Sequence, residues 1–363
     1  MLNVEFKKIV HLVLLGAALL LMNGCAELVG QVPAQPLPLT RAEEARLGAA
    51  TVPRLMQMLG GHYYDQSVAK DLTRLCLQKF QAADSCEVKV ADLNASALYP
   101  LPSGQIVVTR GLLAETTTTA ELISILGKGV ALSQKAYVDH ATREMNQLIE
   151  ELFSAPVAQY DPASADIRLA RLFKAMACED ACLEFSAVSG EASPGVVTLP
   201  DSVTRIAALQ PGYELLEQAR KFEELGDQGQ AIATYLQAAT ETADEPRILR
   251  ALGMAYLRAG QLQSARLHLQ KAVQLQPNYY RSLMGLGYLY LQMGELDQAS
   301  QSLAESVALL PVSENLYLLA EAREKLGDKK GALMLYELIV ESDPDSKLGR
   351  SSVSRLAQLT GGQ

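Results

Sequence analysis

Apolar residues follow four different rhythms along this chain, and each predicts a different kind of structure. The first is a continuous run from Ile9 to Met22 behind the positive pair Lys7 and Lys8. It is too short to span a bilayer comfortably and has the form of a signal-peptide core. The second is helical. Ala42 to Gly60 and Gln66 to Phe80 carry apolar residues at three- and four-residue spacing, which predicts amphipathic helices. The third is alternation: Cys86-Glu87-Val88-Lys89-Val90-Ala91 sends successive side chains to opposite faces, as a half-buried strand does. Asn94 to Leu113 then reads as strand, turn, strand and the start of a helix. The fourth rhythm is a repeat that returns at 34, 34 and 33 residues between Gly212 and about Ser346.

Within the repeat, Gly226, Gly260, Gly294 and Gly327 occupy one equivalent position, and Ala231, Ala265, Ala299 and Ala332 another. The second unit carries Leu252-Gly253, Tyr256, Ala265, Ala272 and Pro277; the third carries Leu286-Gly287, Tyr290, Ala299, Leu303 and Pro311. These spacings resemble tetratricopeptide repeats. The resemblance implies helical hairpins in which small residues sit at the crossing, glycine takes the turn and proline ends the second helix. One hairpin cannot bury its apolar face alone, so the units are expected to stack into a superhelix. Ser346 to Leu359 reads as a capping helix.

In such a superhelix the first helix of each hairpin lines a concave groove. Carried over by spacing, the groove positions are Tyr213, Leu216 and Arg220, then Arg247, Arg250 and Met254, then Arg281, Met284 and Tyr288. Arginine beside aromatic and methionine side chains suits a peptide segment bearing carboxylates.

Charge and composition narrow the partners. The 363 residues carry a formal net charge of −9, so no global basic field exists to hold nucleic acid. Trp is absent and His occurs four times, which argues against histidine metal chemistry as the organising theme. At Leu21-Met22-Asn23-Gly24-Cys25 the apolar run ends in a sequence that resembles a lipobox, making Cys25 the expected acylated N-terminus. A proline-rich tether follows, Val32 to Pro38. Ala26 is not the aspartate that commonly marks inner-membrane retention, so the expected site is the periplasmic face of the outer membrane. Four further cysteines remain: Cys76, Cys86, Cys178 and Cys182. An even number in an exported chain suggests disulfides with three pairings open, of which the local one is simplest.

Asn94-Ala95-Ser96-Ala97-Leu98-Tyr99-Pro100-Leu101-Pro102-Ser103-Gly104-Gln105-Ile106-Val107-Val108-Thr109-Arg110-Gly111-Leu112-Leu113 closely resembles the stretch before the active-site helix of BepA-like and HtpX-like gluzincin metallopeptidases. BepA-like members also carry a C-terminal repeat array and sit in the periplasm. The resemblance implies that the next helix should carry His-Glu-x-x-His, two histidines on one face binding zinc and a glutamate activating water. Here Lys128 and Gly129 stand at the first His and the Glu, and Leu132 at the second His. Ser164 replaces the third ligand ahead of Ala165-Asp166. Leu199, between Thr198 and Pro200, replaces a histidine that approaches the metal in the family. A Lys128 ammonium would repel a divalent cation by several kcal/mol even at an effective dielectric of about 20.

The fold expected is mainly α: a degenerate zincin-like α+β domain with a small sheet, then an α-helical superhelix of tetratricopeptide repeats. The expected organisation is a signal peptide (1–24), acylated cysteine and tether (25–40), peptidase-like domain (41–210) and repeats (211–346). The repeat units are 212–245, 246–279, 280–312 and 313–346, and a capping helix and tail (347–363) follow. No cofactor and no metal is expected. The function expected is that of an anchored protein-interaction module, catalytically inactive; an active zinc endopeptidase is the alternative, lacking ligands to support it.

Overall fold

The computed structural model of this chain describes residues 52–80, 86–101, 104–133 and 198–361. Helix α1 covers residues 52–58 and stops at Gly60 and Gly61, whose positive φ values of 95° and 86° suit glycine. A Cβ on Gly60 would lie 2.2 Å from the Asp92 carbonyl oxygen, so the turn also needs a residue without a side chain. Helix α2 (Gln66–Lys79) starts where the Asp65 side chain accepts from the Ser67 N–H, and it buries Val68, Leu72, Leu75 and Cys76.

Three short strands follow: β1 (Glu87–Ala91), β2 (Leu98–Leu101) and β3 (Gln105–Thr109). They pair in the order β1-β3-β2, with β1 parallel and β2 antiparallel to β3. The alternation read in Val88 and Val90 has its consequence here. These residues, with Ile106 and Val108, face a core shared with α2 and with helix α4 (Thr119–Ser133) through Leu122 and Leu126. Ala91, Tyr99, Leu101 and Val107 bury the other face against Leu55, Met56 and Leu59 around α1. Helix α3 (Arg110–Glu115) opens with the Thr109 hydroxyl capping the Leu112 N–H. Cys76 and Cys86 are joined by a disulfide, Cα atoms 6.3 Å apart, which ties α2 to the start of β1. Cys178, Cys182 and Ser164 lie outside the described residues, as does everything before residue 52, Cys25 included.

Helix α5 (Asp201–Ala208) returns to the same core through Val203 and Ile206. The hairpins come next. Helices α6 (Gln210–Glu224) and α7 (Gln228–Glu241) form the first, α8 (Pro246–Arg258) and α9 (Leu262–Leu275) the second. Helices α10 (Tyr280–Met293) and α11 (Leu296–Leu309) form the third, and α12 (Ser313–Lys325) and α13 (Lys329–Ser342) the fourth. The hairpin turns rest on Gly226, Gly260, Gly294 and Gly327, with φ between 72° and 84°. At the crossings the backbones come close: a Cβ on Gly253 would sit 2.7 Å from Leu269 Cγ, and one on Gly287 2.5 Å from Leu303 Cγ. Helix α14 (Lys347–Thr360), capped by the Ser346 hydroxyl, packs Leu348, Leu356 and Leu359 against the last hairpin. The described residues are thus mainly helical, with one small sheet and a helical repeat array. None of their helices is long and apolar enough to cross a membrane.

Candidate functional site

The first helices of successive hairpins, α6, α8, α10 and α12, lie side by side and carry the positions expected to form a groove. The structure divides those positions into two sets.

The first set is occupied from within. Tyr213 is 2% exposed and the Arg110 guanidinium carbon stands 3.3 Å from its ring centroid, while its hydroxyl donates to Glu245. Leu216 is buried in the hairpin core beside Ala219 and Ile248. Arg247 donates from Nη1 to the Asp92 carbonyl at 2.7 Å and stands 4.0 Å from the Asp92 carboxylate. The expectation that Tyr213, Leu216 and Arg247 face a partner is therefore corrected. The N-terminal module seats its β1–β2 loop and the start of α3 on Tyr213 and Arg247, Leu216 is buried within the hairpin core, and Arg247, 15% exposed, is turned to Asp92.

The same module grips the array along its edge. Gln57 Nε2 donates to the Asn278 carbonyl at 2.7 Å and its Oε1 accepts from the Tyr280 N–H at 3.1 Å. Gln276 Nε2 donates to the His62 carbonyl at 2.6 Å. Met58 packs with Tyr279, Tyr280, Leu310 and Val312. Nothing in the chain's periodicity signals these contacts, because each joins residues more than two hundred positions apart.

The second set remains accessible in part: Arg220, Arg250, Met254, Arg281, Met284 and Tyr288 are half-buried. Arg250 stands over the Tyr279 ring at 5.6 Å, and its Nε is buried without a hydrogen-bond partner. Burial, with the charges of Arg281, Arg247 and Arg220 around it, pulls the Arg250 guanidinium below the ordinary arginine range. Arg281 donates from Nε to the Tyr280 hydroxyl at 2.7 Å. Met254, Met284 and Tyr288 pack on one hydrophobic cluster and form the apolar floor beside these charges. The fourth hairpin puts Glu314 and Glu321 at the positions equivalent to Arg281 and Tyr288, so the basic stretch ends there. Chemically this is a cationic, partly desolvated strip with apolar contacts alongside. It can pair carboxylates strongly because water is already excluded from part of it.

At the positions that the peptidase resemblance assigns to a metal, the residues do not fit zinc. Lys128 and Gly129 lie on α4, and a Cβ on Gly129 would sit 2.8 Å from Ile106 Cδ1. The helix here packs directly on β3 at a point where a glutamate side chain would need room. Leu132 falls in the last turn of the same helix, and Leu199 packs its hydrocarbon on the core. None of these side chains except the Lys128 amine carries a donor atom.

Three models of the tetratricopeptide repeat family match the chain, over residues 216–280, 256–315 and 314–346. Similar solved structures include the MamA protein, at 21% identity over 41% of this chain and 82% of that one, with a TM-score of 0.37. Another is a tetratricopeptide repeat protein from Parabacteroides merdae, at 23% identity over 42% of this chain and 61% of that one, TM-score 0.37. A third is YrrB, described as a tetratricopeptide protein with an unusual peptide-binding site, at 17% identity over 42% and 79%, TM-score 0.36. No curated protein matches the chain. Hairpin period, turn glycines, crossing residues and family models agree, and the C-terminal region of this chain, residues 216–346, is an array of tetratricopeptide repeats.

Proposed function

We propose that this chain is a lipid-anchored periplasmic adaptor that holds an extended acidic segment of another protein in its repeat groove. The repeat family supports a protein-interaction role. The observation that carries the reading further is Arg250. It is a guanidinium among three other arginines, with a buried Nε that no described residue satisfies. A half-buried cation with a desolvated Nε and no acid paired with it among the described residues is costly, and a carboxylate from outside would relieve that cost. Met254, Met284 and Tyr288 then take the neighbouring apolar side chains of the same segment.

In this reading the N-terminal module is a peptidase-like domain that has lost zinc binding at Lys128, Gly129, Leu132, Ser164 and Leu199, and it serves as a rigid wall of the groove. Cys25 is the acylated residue, the anchor lies in the outer membrane, and the partner belongs to envelope or outer-membrane protein assembly. Residues 41–210 and 211–346 act as one unit because the module covers Tyr213 and Arg247.

The test is fluorescence anisotropy with a labelled peptide carrying two carboxylates and an aromatic residue, titrated with the chain and with Arg250→Glu/Arg281→Glu. The double reversal should lower affinity by at least about tenfold, as expected when desolvated charge pairs are inverted. Unchanged affinity removes the groove from the proposal.

A further inference from the structure

Where the N-terminal module meets the repeats, a carboxyl group is buried with no opposite charge paired with it among the described residues. Glu245, the residue before α8, is 0% exposed. Its Oε1 accepts from the Tyr213 hydroxyl and its Oε2 has no hydrogen-bond partner. Two guanidinium groups are close, and Arg110 Nη1 and Arg247 Nε are themselves buried without a hydrogen-bond partner, but among the described residues both groups pair with Asp92 and neither with Glu245. Arg110, itself 0% exposed, pairs with Asp92 at 3.0 Å and donates to Asn94 Oδ1 at 3.1 Å. Arg247 donates to the Asp92 carbonyl at 2.7 Å and stands 4.0 Å from the Asp92 carboxylate. Among the described residues Glu245 forms no ion pair. The remaining groups facing it are Asp92 from the loop after β1, and Tyr63 and Tyr64 from the loop before α2.

We propose that this junction is a proton-linked latch: with a proton on Glu245 the N-terminal module stays docked on the repeats, and ionisation of that carboxyl loosens it. The geometry carries the argument. A charged carboxylate here would leave one oxygen buried without a donor, beside the Asp92 carboxylate, at an interface where Asp92, Arg110, Tyr63 and Tyr213 are all buried. A proton on Oε2 removes the charge and leaves the Tyr213 bond intact. Burial first, and then the Asp92 charge, push the Glu245 carboxyl up to about 8. Undocked, the group returns to the ordinary glutamate range, so docking takes up a proton. The stabilisation is complete below that ordinary range and is lost as pH rises through about 8.

Hydrogen exchange of the whole chain at pH 6 and pH 9, corrected for the intrinsic exchange rate, tests this. The segments to follow are 57–64 and 276–282, which hold the docking contacts, with α13 and α14 as internal reference. In the parent chain, protection of the docking segments should fall by about tenfold or more between the two pH values while the reference segments hold. Glu245→Gln, which cannot ionise, should abolish that difference. Tyr213→Phe removes the hydroxyl that favours the charged form and should move the loosening to higher pH. PH-independent protection in the parent chain overturns the latch, as does a Glu245→Gln chain that still loosens. If Glu245→Gln fails to give a cooperative fold, an unmoved midpoint in Tyr213→Phe overturns it equally.

Discussion

Arg110→Met tests the central claim about how the two parts of the chain are held together. The side chain is fully buried at the top of α3 and makes three contacts: the pair with Asp92 at 3.0 Å, the hydrogen bond to Asn94 at 3.1 Å, and the stack on Tyr213 at 3.3 Å. Methionine keeps much of the hydrocarbon volume but leaves Asp92, whose side chain is 2% exposed, as a buried carboxylate without its partner. Breaking a buried pair from one side costs about 3–5 kcal/mol, and here Arg247, 4.0 Å from the Asp92 carboxylate, compensates only part of the remaining charge. The cation over the Tyr213 face adds on the order of 1–2 kcal/mol, part of which methionine recovers by packing. The expected loss is therefore about 4 kcal/mol in urea unfolding, with the m-value unchanged. Adding Asp92→Asn removes the stranded charge, so the double variant should recover at least about 1 kcal/mol relative to Arg110→Met. A single-variant cost below about 1 kcal/mol, or a double variant that is no more stable, would show that the junction is not held by this buried pair.

Replacing Cys76 and Cys86 together by serine opens a loop of sequence separation 10 and should cost about 2–3 kcal/mol; a urea midpoint that does not move refutes the constraint. Gly287→Val puts a branched side chain where Leu303 already stands at 2.5 Å, and should lower stability by about 1–3 kcal/mol, read by thermal melting. Elemental analysis of dialysed protein should find far less than one zinc per chain, and a stoichiometric content would end the inactive-peptidase reading. Cys25→Ser should release the chain from the outer-membrane fraction; unchanged fractionation would reject Cys25 as the anchor.

What the sequence determined by itself is what repeats or alternates. The period that joins Gly226, Gly260, Gly294 and Gly327 predicts the hairpins, because only residues tolerant of positive φ make that turn and only small residues allow the crossing at Gly253 and Gly287. The alternation of Val88 and Val90 predicts a strand because a strand has two faces, and β1 buries both residues on one of them. For the cysteines, spacing left three pairings open, and it was the approach of α2 to β1 that joined Cys76 to Cys86.

The groove was legible only as a set of equivalent positions. Tyr213, Arg247 and Arg281 occupy matching places on matching helices, as do Leu216, Arg250 and Met284, and local periodicity cannot distinguish a position that faces solvent from one that faces another part of the chain. Tertiary packing made that distinction. It brought Asp92 and Arg110 onto Tyr213 and Arg247, left Arg250 Nε without a partner among the described residues, and sealed Glu245 between them. These are contacts between segments far apart along the chain, whose cost and benefit arise only once water has been excluded from around them. Helical and strand periods are properties of neighbouring residues and can be read from the chain; which charge ends buried against which is a property of the assembled interior.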